Sequence, residues 1–160
     1  MDAMDDTAVG TRESSTGRLW DTQVAGDVAF LMARANAMSL AAANAALADE
    51  GLKVRPYSVL ALAAADARPT QRELSEFLRL DPSQIVALID DLQDRGWVTR
   101  EPDPQDRRVN VVAVTKAGRA AFARARARVQ RHQREHFSVL DHDEIAVLRG
   151  LLRRLARVDE

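Results

Sequence analysis

Arg107 and Arg108 end the run E-P-D-P-Q-D-R-R, in which Pro102 and Pro104 stiffen the chain. A guanidinium is a planar fork of donors that stays charged at physiological pH. A rigid tip presenting two of them suits phosphate contact or insertion into a DNA minor groove. Taken alone, D-R-R is also what an ordinary solvated turn with surface ion pairs carries. Upstream, in D-P-S-Q-I-V-A-L-I-D-D-L-Q-D, helical spacing puts Ile85, Val86, Leu88, Ile89 and Leu92 on one face. Ser83, Gln84, Ala87, Asp91 and Asp94 fall on the other. Its N-terminal half is small and polar, which lets a helix backbone come close to base edges in a major groove. The chemistry on offer is recognition of a polyanion, not bond making.

The elements that must position these residues follow from local signals. Asp81 is a good N-cap, Pro82 fits the first helical position, and Gln84 stands where a capping-box side chain reaches back. Gly96 is a stop. Trp97–Arg100 and Val109–Val114 are short runs of β-branched and aromatic residues on either side of the arginine tip, which predicts a hairpin. Before the capped helix, Thr70 and Glu73 form a T-x-x-E capping box, with Leu74, Phe77 and Leu78 as the core face of a short helix. That helix, the turn at Arg79–Leu80 and the helix from Asp81 make a helix-turn-helix. Thr70, Gln71 and Arg72 then lie near the DNA backbone, with capping and solvation as the plain alternative.

This order of elements resembles the MarR (multiple antibiotic resistance regulator) family of winged helix-turn-helix transcription factors. The resemblance runs from about Leu52 to Arg119, through E-L-S-E-F-L-R-L-D-P-S-Q, L-I-D-D-L-Q-D-R-G-W-V-T-R, D-P-Q-D-R-R and V-T-K-A-G-R. It implies a mainly α fold, a winged helix-turn-helix with a small β-hairpin wing and N- and C-terminal dimerisation helices. It further implies a homodimer on a pseudo-palindromic operator in double-stranded DNA, with Arg108 in the minor groove, Asp106 orienting it and Arg107 near the phosphates. Ser83, Gln84 and Ala87 would set base preference. Family members commonly bind small aromatic or phenolic acids where the dimer-forming helices meet the winged core. Here Phe30, Arg34, Tyr57 and Leu60 would lie near that cleft, Arg34 pairing with a carboxylate and Tyr57 stacking or donating a hydrogen bond. A small lipophilic or aromatic acid is therefore the expected effector of a repressor. Two residues depart from the family pattern. Asp91 stands where a basic residue is frequent. Arg79 stands where the turn often has glycine, which implies a less tight turn or an added basic contact.

A length of 160 residues suits one domain with extensions. The absence of cysteine excludes disulfides, thiolate metal sites and thiol redox sensing by this chain. No apolar run approaches membrane-spanning length and the acidic N-terminus is unlike a signal peptide, so the expectation is cytoplasmic, with no membrane partner. The net charge of −1 hides an asymmetry. Residues 1–94 hold 8 basic and 15 acidic side chains, whereas residues 95–134 hold 11 basic and 3 acidic. A basic stripe on a neutral chain is a usable footprint for nucleic acid.

Four segments follow. Residues 1–19 are polar and acidic and read as a disordered arm. Residues 20–50 read as an alanine-rich dimerisation helix, running from about Asp21 to Asp49 and ended by Gly51. Residues 51–118 form the winged DNA-binding domain, its first helix opened by Pro56, and residues 119–160 form C-terminal dimerisation helices. The last of these is capped by Asp141 with Glu144, and its stripe of Ile145, Leu148, Leu151, Leu152 and Leu155 has no obvious cover within a small winged domain. His132 and His136 are four apart on one helix face, with Glu135 and His142 nearby. Two ligands do not complete a metal site, so neither metal nor cofactor is expected. A metal-responsive regulator built on this pair is one rival reading. A helical protein-interaction module without DNA binding, favoured by the acids Asp90, Asp91 and Asp94, is another. No nucleophile–base pair or phosphate loop points to an enzyme.

Overall fold

A computed structural model describes residues 16–157. The expected arm, residues 1–19, lies outside them except for its end, where Gly17–Asp21 forms a 3-10 turn, followed by a second at Gln23–Gly26. Six α-helices and one hairpin follow: α1 (Val28–Leu47), α2 (Val54–Ala64), α3 (Gln71–Leu78), α4 (Pro82–Asp94), β1 (Val98–Pro102), β2 (Asn110–Val114), α5 (Lys116–His136) and α6 (His142–Leu155). The chain divides into two compact units, Met1–Met38 and Ser39–Glu160.

In the first unit the alanine-rich helix starts later than its composition suggests. Alanine favours helix everywhere and marks no boundary. The boundary is set by Asp27, whose Oδ1 accepts the Ala29 N–H at 2.9 Å. Within this unit the Arg34 guanidinium lies over the Trp20 ring, 5.0 Å from its centroid.

In the second unit the core is one cluster: Leu47, Leu52, Val59, Leu60, Ala63, Leu74, Ile85, Ile89, Leu92, Val98 and Val112, closed by Ala121, Ala125 and Val129 of α5. Gly51 ends the α1 corner in the left-handed region, at φ 63°. The α2 helix starts at Val54, two residues before Pro56, because the Asn44 side chain accepts the Val54 N–H at 2.9 Å. Pro56 is still in the first turn, where a missing N–H costs nothing. The small residues of α5 let it lie close to its neighbours. Gly118 does so most sharply, since a Cβ there would collide with the Trp97 carbonyl.

The hairpin is antiparallel, with Val98 opposite Val114 and Pro102 opposite Asn110. Its base is fastened to the helix-turn-helix by an isolated bridge between Thr70 and Val111, and by the Val112 N–H donating to the Pro69 carbonyl at 2.8 Å. The wing strand β2 is therefore joined to the N-terminus of α3 through the backbone.

Candidate nucleic-acid interface

The start of α3 is built as its residues predict. Thr70 Oγ1 accepts the Glu73 N–H at 3.1 Å, and Glu73 Oε2 accepts the Thr70 N–H at 2.7 Å. These bonds to Thr70 hold the Glu73 carboxyl below the usual carboxylate range. Gln71 is half-buried, and Arg72 is exposed but paired with Glu76 at 2.8 Å. Only Leu74 of α3 is fully buried, with Leu78 packed on the core. Phe77, expected in that core, is 74% exposed. An eight-residue helix has a narrow inner face, and Leu74 and Leu78, four apart, occupy it.

The turn into α4 removes one of the two alternatives expected at Arg79, the looser turn. Arg79 does not loosen it. Arg79 takes the left-handed conformation itself, at φ 54° and ψ 44°, so its N–H reaches the Ser75 carbonyl as a glycine's would. The Leu80 N–H also donates to that carbonyl, at 3.1 Å, and the Ser75 hydroxyl donates to the Leu80 carbonyl at 2.6 Å.

Asp81 stands at the N-cap of α4 with Pro82 behind it, but its carboxylate makes no capping bond and Gln84 completes no box. The backbone does the work instead. The Asp81 carbonyl accepts the N–H groups of both Gln84, at 3.0 Å, and Ile85, at 3.1 Å. The Gln84 donor that a capping side chain would satisfy is thus already used. Ile85, Ile89 and Leu92 are fully buried and Leu88 is half-buried, whereas Val86 is 39% exposed. Ser83, Gln84 and Ala87 are all exposed, together, on the outer side of the first two turns.

The acids of this helix are largely taken up. Asp90 Oδ1 accepts from Arg100 Nη2 at 2.6 Å, and Asp91 pairs with Arg95 at 3.0 Å. The Arg95 guanidinium also lies 5.2 Å from the Trp97 ring centroid. The basic stripe is correspondingly thinner than the sequence suggests. Arg119 pairs with Asp66, Arg124 with Glu50, and Arg128 with Asp49 and Glu50. Asp66 is held below the usual carboxylate range by its bond to Arg119, and Glu101 by its bond to Arg68. Both pairs tie the turn between α2 and α3 to the elements behind it.

At the wing tip the Asp103 carboxylate accepts the Gln105 N–H at 2.8 Å, and Asp106 Oδ1 accepts the Arg108 N–H at 3.0 Å. Asp106 therefore fixes the backbone that carries Arg108 and leaves the guanidinium unoccupied. Arg107 and Arg108 are exposed and without an ion pair among the described residues. An outer helix face of short polar groups and a tip with two free guanidiniums are what a groove reader needs.

Comparison with known proteins follows this geometry. A family model described as MarR family matches residues 50–109. The multiple antibiotic resistance protein MarR of Escherichia coli (strain K12) is 30% identical over 113 residues, 70% of this chain and 78% of that protein. The chain belongs to the MarR family. Among solved structures, CouR from Rhodococcus jostii RHA1 bound to p-coumaroyl-CoA is 40% identical, with a TM-score of 0.79 over 84% of this chain and 96% of that one. A mutant of the Escherichia coli MarR complexed with operator DNA has a TM-score of 0.72 at 25% identity, over 89% of this chain and 99% of that one. Like other MarR family members, this chain is a DNA-binding transcriptional regulator with a winged helix fold.

The four residues expected near an effector cleft have different surroundings. Phe30 is half-buried and Arg34 exposed in the first unit. In the second, Leu60 is fully buried in the core and Tyr57 is half-buried, its ring 5.8 Å from that of Phe122. Burial raises the Tyr57 pKa and the nearby Arg126 charge opposes the rise. Sequence reasoning missed Phe122 and Arg126. They sit in a run of alternating alanine and arginine, and only the packing of α5 on α2 singles them out. The His132 and His136 rings lie 5.5 Å apart, and His132 Nε2 is buried without a hydrogen bond. Among the described residues no group of three His, Cys, Asp or Glu side chains could hold a metal ion. No helix among them is long and apolar enough to cross a membrane.

Proposed function

We propose that the protein acts as a homodimeric, sequence-specific repressor released from a pseudo-palindromic operator by a small molecule. One observation carries the dimer. The winged core leaves only Phe77, Val86 and Val109 among its large apolar side chains exposed, whereas the two ends of the chain expose many more. Leu19, Trp20, Val24, Val28, Leu31, Met32, Met38 and Leu40 are each more than 40% exposed, as are Val139, Val147, Leu151, Leu152 and Leu155. Apolar area of that extent on terminal helices asks for a partner, and a second copy supplies matching surface by two-fold symmetry. In the same proposal Ser83, Gln84 and Ala87 read bases, Arg108 enters the minor groove, and Thr70, Gln71, Arg72 and Arg107 face the phosphates.

The effector is an aromatic acid or its thioester. Supporting this class is the 40% identity to CouR, whose structure holds p-coumaroyl-CoA. Tyr57 and Phe122 supply two neighbouring rings and Arg126 a nearby cation. A preference of about 1.4 kcal/mol for the non-binding state is enough to shift the population tenfold. The test is a panel of hydroxycinnamic and benzoic acids and their CoA thioesters, read by melting temperature and by release of bound duplex. At least one member should do both, and Phe122→Ala or Arg126→Ala should reduce both. Stabilisation without release would leave a pocket that is not a switch.

A further inference from the structure

We infer that Arg79, in the turn between α3 and α4, is a phosphate contact of the DNA interface. Three observations carry this. First, Arg79 sits at φ 54°, in the left-handed region where an L side chain is strained and glycine is not. The turn itself gains nothing from the side chain, because its bonds run through the backbone and Ser75. Keeping a long cationic side chain at a position where glycine folds more easily calls for a use outside the fold.

Second, the guanidinium is available. Of the seven arginines between residues 68 and 108, Arg68, Arg72, Arg95 and Arg100 are held in ion pairs. Arg79 shares with Arg107 and Arg108 the absence of any ion pair among the described residues, and all three are exposed. Third, the location is fixed and close to the reading face. Arg79 lies four residues before Ser83, and the turn between them is locked at both ends by backbone bonds to Ser75 and Asp81. A cation there flanks the outer face of α4, where the backbone of a bound duplex rises on either side of the groove.

The inference rests on α4 being the reading helix, and the experiment separates the two. A duplex selected by the wild-type protein from a random pool is titrated at several salt concentrations with wild type, Arg79→Gly and Arg79→Lys. Arg79→Gly relieves the strained φ, so its melting temperature should hold or rise. Its affinity should fall about tenfold, and the log–log salt slope should drop by about one per subunit. Arg79→Lys keeps the charge and should stay within about threefold of wild type with its slope intact. Arg79→Gly with unchanged affinity and slope would overturn the inference alone, as would a loss of affinity accompanied by a lower melting temperature and an unchanged slope. Failure of the pool to yield any duplex bound by wild type would overturn the α4 reading and this inference together.

Discussion

Asp90 on α4 accepts a 2.6 Å hydrogen bond from Arg100 on β1, and Gln93 accepts from the other guanidinium nitrogen at 2.7 Å. A single side chain thereby links α4 to the wing. Two acids that would repel phosphate if bare, Asp90 and Asp91, are instead neutralised by Arg100 and Arg95. This weakens the alternative of a winged protein that has lost DNA binding.

Arg100→Ala should therefore lower DNA affinity without changing the salt slope, because it misplaces the wing and uncovers Asp90 but removes no phosphate contact. The pair is partly exposed, so its stability contribution is at most about 1 kcal/mol, a fall of a few degrees in melting temperature. A reduced salt slope would instead make Arg100 a phosphate contact.

Arg108→Ala tests the wing tip. If its guanidinium neutralises a phosphate, affinity drops for every sequence and the slope falls by about one per subunit. If it enters an A·T-rich minor groove, the loss depends on the sequence flanking the half-sites. Unchanged affinity and slope would remove the wing from the interface. Asp106→Ala should produce a weaker version of the same defect, since it releases the Arg108 backbone but keeps the charge.

Acid should loosen the fastening of the turn between α2 and α3. Asp66, Glu73 and Glu101 all have pKa values below the usual carboxylate range in the folded chain. The stability they contribute is thus fully present above the ordinary range, about pH 4 to 4.5, and lost as pH falls through the folded values. Asp66 and Glu73 are exposed and Glu101 is only half-buried, so the effect is modest. Urea midpoints measured from pH 7 down to pH 3 should fall less steeply in Glu73→Gln than in wild type. Parallel curves would show that the capping box carries no proton linkage.

Gly118→Ala should be among the most damaging single changes in the winged core. Thr115 Oγ1 caps α5 by accepting the Gly118 N–H at 3.0 Å, and itself donates to the Gly96 carbonyl at 2.7 Å. The added methyl would meet the Trp97 carbonyl, a backbone atom that cannot swing aside. A loss of about 2 kcal/mol or more is expected. A chemical denaturation curve that overlays wild type would contradict the close approach.

What the sequence makes legible here is what local chemistry decides. The capping boxes at Thr70 with Glu73 and Asp141 with Glu144 form as their spacing implies, because each needs only four consecutive residues. Periodicity makes Ile85, Leu88, Ile89 and Leu92 of the α4 face legible, but not that Val86 lies outside it, and the β-branched runs mark the hairpin. Illegible were choices made by the rest of the fold. Asp81 has the right side chain for a cap, but its own carbonyl satisfies the donor first. Phe77 differs from Leu78 by one position on a short helix, and that position faces out. Arg79 carries no local sign that it will turn left-handed. Arg126 becomes interesting only once α2 places Tyr57 beside it.

The central claim, a two-fold reader using α4 and the wing, is tested most directly by selecting bound sites from random duplexes with purified protein. The expected yield is an inverted repeat whose half-site centres lie about one helical turn, roughly 34 Å, apart. Its binding should weaken steeply with salt and involve two subunits per duplex. Deleting residues 141–160 should abolish it. No enriched sequence, or a single unrepeated half-site bound at full affinity by a monomer, would contradict the claim.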